Sequence, residues 1–277
     1  MRTDQPRALV IRTAGTNCDV ELVRALQIAG AHVELTHVHQ LIASPAMLDA
    51  CSIIGFPGGF SYGDDVASGR VLAAKLREQL WPALREARDR GALMIGVCNG
   101  FQVLTQLGLL PGWTEQSQES PPRPVTALVD NEQGRFIDRW LRVRFESDSV
   151  CVWTRGVADQ LDAAEERLRD AALQLPIAHG EGRFVADCDA TLDALEARRQ
   201  VALRYVHNAN GSTRAIAGIC DPSGRIFGLM PHPERFLSWR HHPCWTRLGS
   251  DVTTSETIGL RIFRNAVEAA RTCEKNS

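Results

Sequence analysis

The sequence predicts an α/β fold in which a doubly wound, mostly parallel sheet continues into an antiparallel extension. Three observations carry that prediction. In the N-terminal half, short apolar runs alternate with amphipathic stretches of helical spacing, the pattern of strands joined by crossover helices. The runs end in glycine or in Pro57-Gly58-Gly59, which punctuate the chain where a strand stops. In the C-terminal half, strand-like runs follow one another with turn signals at Asn210-Gly211 and Ser223-Gly224, which suit antiparallel neighbours.

Taken in order, residues 8–12 form the first strand and 20–29 an amphipathic helix. Residues 31–35 and 51–56 form the next two strands. Helical spacing over 69–90 is interrupted near Pro82, because proline brings no N–H to the helix interior. Residues 92–97 read as a buried strand and 99–107 as a helix. The second half offers strands at 125–129, 141–145, 150–153, 201–205, 215–220 and 226–230, read as an extension of the same sheet. A helix over 258–272 closes the chain, and residues 1–277 read as a single domain.

The composition bounds the function. The chain has 277 residues, 44% hydrophobic and 23% charged, with a formal net charge of −2. That balance argues against a nucleic-acid surface or a polybasic membrane anchor. The apolar run 8–11 is too short for a signal-peptide core, and no stretch is long and apolar enough to span a bilayer, so a cytoplasmic location is expected. Eight cysteines scattered through a long chain are not a disulfide framework. They are expected to be free thiols, of which one can be catalytic.

The chemistry concentrates in three places. Gly96-Val97-Cys98-Asn99-Gly100 lies between a buried strand and a helix. This is the thiol form of a nucleophile elbow: the turn is sharp, its neighbours must be small, and the sulfur emerges at a helix N-terminus where the dipole favours thiolate. Met230-Pro231-His232-Pro233-Glu234-Arg235 supplies a base. Its prolines are expected to hold the segment extended, so that Glu234 projects to the same side as His232 and orients it. Pro57-Gly58-Gly59-Phe60-Ser61-Tyr62-Gly63-Asp64 follows a strand and can present backbone amides to an oxyanion. Taken alone, each has a bland reading: a packed cysteine, a loop histidine, a plain turn.

Together these elements resemble class I (triad-type) glutamine amidotransferases of flavodoxin-like fold. With Gly15-Thr16-Asn17-Cys18-Asp19 and Ala178-His179-Gly180-Glu181-Gly182, they resemble in particular the glutaminase subunit of phosphoribosylformylglycinamidine synthases. The resemblance implies that Cys98 attacks the side-chain amide of L-glutamine, that His232 carries protons, and that Glu234 holds His232. It implies an oxyanion hole from the amides of Gly59 and Asn99, with Gly58 permitting the turn. Gln102, His179, Gly180 and Glu181 are implied to hold the glutamine. It also implies ammonia transfer to a separate synthetase subunit that carries ATP and magnesium, with a small accessory subunit. No phosphate-binding Gly-Lys-Ser/Thr loop is visible here, and no cofactor or metal is expected in this chain.

Two segments depart from the compact family pattern, about 156–173 and about 237–256. The first reads as a charged amphipathic helix. The second carries Trp239, Trp245, His241, His242 and Cys244. Because it leaves directly from the histidine motif, it is expected to touch the synthetase. The competing readings are that its tryptophans pack inside the chain, or that its histidines and cysteine bind metal. Cys18 pairs with no histidine motif and is expected to be structural or part of the glutamine loop and not a second nucleophile. His37 and His39 lack a third ligand, and the other cysteines read as structural. Two other functions remain: a glutamine-sensing or scaffolding module without turnover, and a stand-alone hydrolase. Intact Cys98, His232 and Glu234 argue against the first, and the Gly58–Asp64 loop against the second.

Overall fold

The structure, a computed structural model, describes residues 5–64, 67–113, 120–162, 166–248 and 255–275. Strand β1 (Arg7–Arg12) leads through α1 (Asp19–Ala29) to β2 (His32–His37), which pairs with it in parallel. The chain returns by α2 (Val38–Ala43) to β3 (Ile53–Phe56) on the other side of β1. His37 caps α2 by accepting the His39 N–H at 3.3 Å. The long helix expected over 69–90 is two helices, α3 (Arg70–Gln79) and α4 (Trp81–Asp89). Pro82 sits in the first turn of α4, where a missing N–H costs nothing. Then β4 (Leu93–Val97) pairs parallel to β3 and feeds α5 (Asn99–Gln106).

The second half departs from the sequence reading in four respects. First, β5 (Thr126–Val129) does not join the main sheet. It pairs antiparallel with β8 (Arg183–Ala186) as a separate ribbon. Second, residues 150–153 form no strand. Val150 is exposed, while Cys151, Val152 and Trp153 are buried and the Trp153 indole N–H bonds Arg225 O at 2.9 Å. Third, β7 (Gln174–His179) and α8 (Asp189–Ala197) were not anticipated. Pro176 argues against a strand from sequence, but β7 lies at the sheet edge beside β6 (Ile137–Phe145), where proline is tolerated. Fourth, β11 (Ile226–Leu229) is not part of an antiparallel extension on both sides. The hairpin from β10 (Ile216–Cys220) turns it to run parallel with β4.

The main sheet therefore runs β2-β1-β3-β4-β11-β10-β9-β6-β7, with β9 at Val201–Tyr205. Its central strands β3, β4, β10 and β11 are buried at every residue, the condition of strands covered on both faces. The five parallel strands β2, β1, β3, β4 and β11 end on one edge, and the loops after β1, β3, β4 and β11 converge there. The closing helix α9 (Ile258–Lys275) packs against α1 and the turn after β11. No helix among the described residues is long and apolar enough to cross a membrane.

The two departing segments resolve differently. Residues 156–173 contain two short helices, α6 (Val157–Asp162) and α7 (Glu166–Ala172), in place of one; positions 163–165 lie outside the described residues. In 237–256, positions 249–254 lie outside them too. Trp239 is 1% exposed, packs edge-on to Phe236, and donates its indole N–H to Ser255 Oγ at 2.9 Å, so it belongs to the core and not to a docking surface. Trp245 is 41% exposed and stays available to a partner. His242 is buried among these aromatics, whereas His241 and Cys244 face outward, so the three do not form a metal site. Trp239→Ala is expected to lower the unfolding free energy by about 3–5 kcal/mol. Trp245→Ala is expected to leave it nearly unchanged; chemical denaturation of each variant checks both.

Candidate active site

Cys98 is the N-cap of α5 and adopts φ 52° and ψ −108°, a strained left-handed conformation that non-glycine residues avoid unless the surroundings enforce it. The surroundings do so here. Its N–H donates to Leu229 O of β11 at 2.8 Å, and its carbonyl accepts from Phe101 N at 2.9 Å. A side chain on Gly100 would collide with Phe56 O at the end of β3, which is why glycine follows the elbow. Cys98 is 6% exposed, and Sγ lies 3.8 Å from Ala178 O. The turn thus lifts the thiol over the strand ends and into contact with β7.

His232 arrives from the end of β11. Its N–H donates to Pro176 O at 2.8 Å, so the same strand that approaches the thiol also anchors the base. The segment is not extended as expected: Pro233–Arg235 make a single 3₁₀ turn, with proline at its start. The tight turn swings Glu234 back under the ring, and Glu234 Oε1 meets His232 Nδ1 at 2.6 Å with both side chains buried. Burial by itself lowers the pKa of a histidine. Here the charge of Glu234 and the neighbouring thiols of Cys18 and Cys98 outweigh it, and His232 is held well above its ordinary value. The Nε2 atom on the opposite side of the ring has no hydrogen-bond partner.

The loops after β1 and β3 are tied together. Phe60 N–H bonds Gly15 O at 2.9 Å, Cys18 N–H bonds Gly58 O at 3.3 Å, and Thr16 faces Gly59 in an isolated bridge. Gly58 is where the site closes. A Cβ there would lie 2.9 Å from His232 Cε1, 3.2 Å from Cys18 Sγ and 3.4 Å from Cys98 Cβ. This overturns the expectation that no histidine pairs with Cys18. The partner is His232, more than two hundred positions away, brought in by the adjacency of β1, β3, β4 and β11. Cys18 Sγ also donates to Asn17 Oδ1 at 3.1 Å and accepts from Arg235 Nη2 at 3.1 Å. Burial raises the Cys18 pKa, against the opposing pull of His232 and Arg235.

Gln102, on the second turn of α5, is 3% exposed. Its amide donates to Glu181 O at 2.5 Å, and its oxygen accepts from Asn99 Nδ2 at 3.0 Å. Glu181 in turn accepts from Ser68 N–H at 3.2 Å, and Asn99 reaches Asp64 at 3.3 Å. The Asn99 and Gln102 side chains, the Glu181 carbonyl and the Glu181 carboxylate thus form one network that joins the elbow helix to two loops; the side-chain role of Asn99 and the places of Asp64 and Ser68 in it were not singled out from sequence. Burial raises the Asp64 pKa, and nearby Glu181 adds to that.

His179 is 3% exposed and is locked by Asn131, another residue missed from sequence. Asn131 Oδ1 accepts the Gly182 N–H at 3.2 Å and meets His179 Nδ1 at 3.0 Å, so Nδ1 carries the proton. Burial and the nearby charge of His232 lower the His179 pKa to about 4. Folded His179 then stays neutral while the unfolded chain takes up a proton below its ordinary 6.5. The unfolded state binds more protons, so stability is lost as pH falls from 6.5 to about 4. The expected loss is up to about 3 kcal/mol, and denaturation midpoints compared with those of His179→Gln across that interval measure it.

Fold and site together place the chain among the glutamine amidotransferases. It belongs to the family of the CobB/CobQ-like glutamine amidotransferase domain, whose model matches residues 5–268. Phosphoribosylformylglycinamidine synthase subunit PurQ of Dehalococcoides mccartyi is 39% identical over 273 residues, covering 96% of this chain and 98% of its own. The protein of that name from Methanococcus maripaludis is 39% identical over 284 residues, covering 95% and 97%. A chain in the structure of PurLQS from Thermotoga maritima superimposes with a TM-score of 0.67 at 31% identity, covering 96% of this chain and 99% of that one. A second Thermotoga maritima glutamine amidotransferase, 14% identical with a TM-score of 0.51 and covering 96% and 98%, shares the fold.

Proposed function

We propose that this chain is the glutaminase subunit of a phosphoribosylformylglycinamidine synthase, releasing ammonia from L-glutamine through Cys98, His232 and Glu234. The observation that carries the reading is the dry His232–Glu234 pair at 2.6 Å, set beside the elbow thiol. A histidine held by a buried carboxylate can take a thiol proton and keep the resulting charge. His232 Nε2 accepts the proton of Cys98, and Sγ attacks the side-chain carbonyl carbon of glutamine. The N–H groups of Gly59 and of Asn99, the first residue of α5, receive the oxyanion. His232 returns the proton to the departing nitrogen, ammonia leaves, and a γ-glutamyl thioester remains. Water, deprotonated by the same ring, cleaves it to glutamate.

The relatives' names support the assignment to purine biosynthesis. Their shared name, which makes each a synthase subunit, and the PurLQS structure from Thermotoga maritima support a separate synthetase subunit as the recipient of the ammonia. In this reading ATP and magnesium belong to that synthetase, which makes formylglycinamidine ribonucleotide, and a small accessory subunit completes a cytoplasmic assembly. The network of Gln102 and Glu181, with Gly180, whose carbonyl accepts from Asn131 N–H at 2.8 Å, shapes the pocket for the glutamine backbone groups, and His179 is its buried support. The test is ammonia release from glutamine by the isolated chain. The expected rate is weak and rises when the synthetase is added with its substrates. A chain that binds glutamine but never turns it over, alone or assembled, is a sensor and not this subunit.

A further inference from the structure

The site holds a second thiol for which the proposed reaction has no use. Cys18 Sγ, a ring nitrogen of His232 and a carboxylate oxygen of Glu234 all lie within 4.8 Å of one another, and all three residues are buried. Cys98 stands on the same side: its Cβ and Cys18 Sγ both crowd the space left by the missing side chain of Gly58. His232 is 1% exposed, and its Nε2 is unpartnered. Its Nδ1 is engaged by Glu234, the arrangement in which a carboxylate fixes a histidine to present Nε2 to a metal.

We infer that a thiophilic divalent cation of the zinc type binds here, ligated by Cys18 Sγ, Cys98 Sγ and His232 Nε2, and silences the thiol. Two thiolates and one imidazole are a known zinc donor set that leaves a fourth, tetrahedral position for water. Bonds of about 2.0–2.3 Å place such ligands roughly 3.5 Å apart. Cys18 and His232 already stand in one group with Glu234, and Cys98, whose Cβ borders the same space, completes the set by turning its sulfur toward them. Binding releases the Cys18 and Cys98 protons, and any proton held on His232 Nε2, to solvent, with no change of oxidation state. On deprotonation Cys18 gives up its bond to Asn17 but keeps that from Arg235, whose guanidinium offsets part of the new negative charge. Glu234 stays behind the ring as its support. The metal and glutamine compete for Cys98, so the cation acts as an inhibitor and not as a cofactor.

The inhibition rests on the glutaminase reading, but the binding does not, and the experiment separates them. The exposed thiols Cys188, Cys244 and Cys273 are first replaced by alanine to remove surface sites. Cobalt(II) is then titrated into the full chain. One cobalt per chain is expected, with thiolate charge-transfer and tetrahedral ligand-field bands that zinc abolishes. Cys18→Ser should weaken binding by about tenfold or more and raise the zinc concentration for half-inhibition of glutamine hydrolysis by a similar factor. In the chain that keeps Cys18, zinc should slow alkylation of Cys18 and Cys98 together, as mapped by mass spectrometry; this arm does not depend on the folding of any Cys18 variant. Cobalt bands unchanged by Cys18→Ser, or Cys18 alkylated equally fast with zinc, overturn the site. A chain that binds cobalt through Cys18 but never hydrolyses glutamine keeps the site and sinks the glutaminase reading. One that hydrolyses glutamine and ignores zinc does the reverse.

Discussion

Cys98→Ser is expected to lower glutamine hydrolysis by several orders of magnitude while ammonia-dependent synthesis by the assembled complex survives. The elbow explains the size of the effect. The backbone at position 98 is held by β11 and by α5, so the serine oxygen takes the place of the sulfur with little rearrangement. What changes is chemical: an alcohol is a far weaker nucleophile than a thiolate, and groups that act as a unit lose nearly everything when one member fails. In the proposed assembly the synthetase site lies on another polypeptide and does not need the thiol. Glutamate release and ammonia-driven product formation, measured side by side, give the two readouts. A glutamine-analogue diazoketone should label Cys98 and leave Cys18 unmodified. Because Cys18 stands beside the same histidine, that mapping discriminates between two thiols that share one base. Glutamine hydrolysis near the normal rate in Cys98→Ser would end the assignment.

The parallel half of the fold was legible because each of its strands is a short buried run followed by a helix, and period and punctuation agree. The elbow was legible for a related reason: the close approach of Gly100 to Phe56 leaves glycine as the fitting residue, and the requirement is written locally. The second half was harder because its signals depend on partners far away in sequence. Pro176 weakens a strand signal that the edge position of β7 makes harmless. The run at 150–153 is apolar because Cys151, Val152 and Trp153 enter the core, not because it pairs. β11 reads like its antiparallel neighbours, and only the strand order reveals that it runs with β4. The site divides the same way. Cys98, His232 and Glu234 stand in motifs with their own local logic. Cys18, Asp64 and Asn131 acquire their roles from contacts at long range: Cys18 with Arg235, Asp64 with Asn99, Asn131 with His179. For Cys18 the signal was the motif Asn17-Cys18-Asp19 itself, which had been noticed and given no chemistry.

Glu234→Gln should reduce turnover on the order of a hundredfold to ten-thousandfold, by analogy with triads in which the orienting carboxylate is neutralised. The substitution keeps the shape of the side chain and its position in the 3₁₀ turn, so a loss reports on charge. In the native site the carboxylate sits 2.6 Å from Nδ1 and raises the His232 pKa against the cost of burial. Removing that charge leaves burial opposed by the Cys18 and Cys98 thiols alone, so the His232 pKa falls. The limb of the pH–rate profile that reports loss of the His232 proton should therefore move to lower pH. A merely structural role for Glu234 would not move it. Glu234 Oε2 is buried without a partner, so the new amide puts donors into a dry pocket. That can cost about 1–3 kcal/mol of stability, and a melting curve taken with the kinetics keeps the two effects apart. His232→Ala should cost at least as much turnover, since it removes the base together with the reason for the carboxylate. If Glu234→Gln keeps both its rate and its pH profile, the carboxylate is a loop residue and the thiol works with histidine alone.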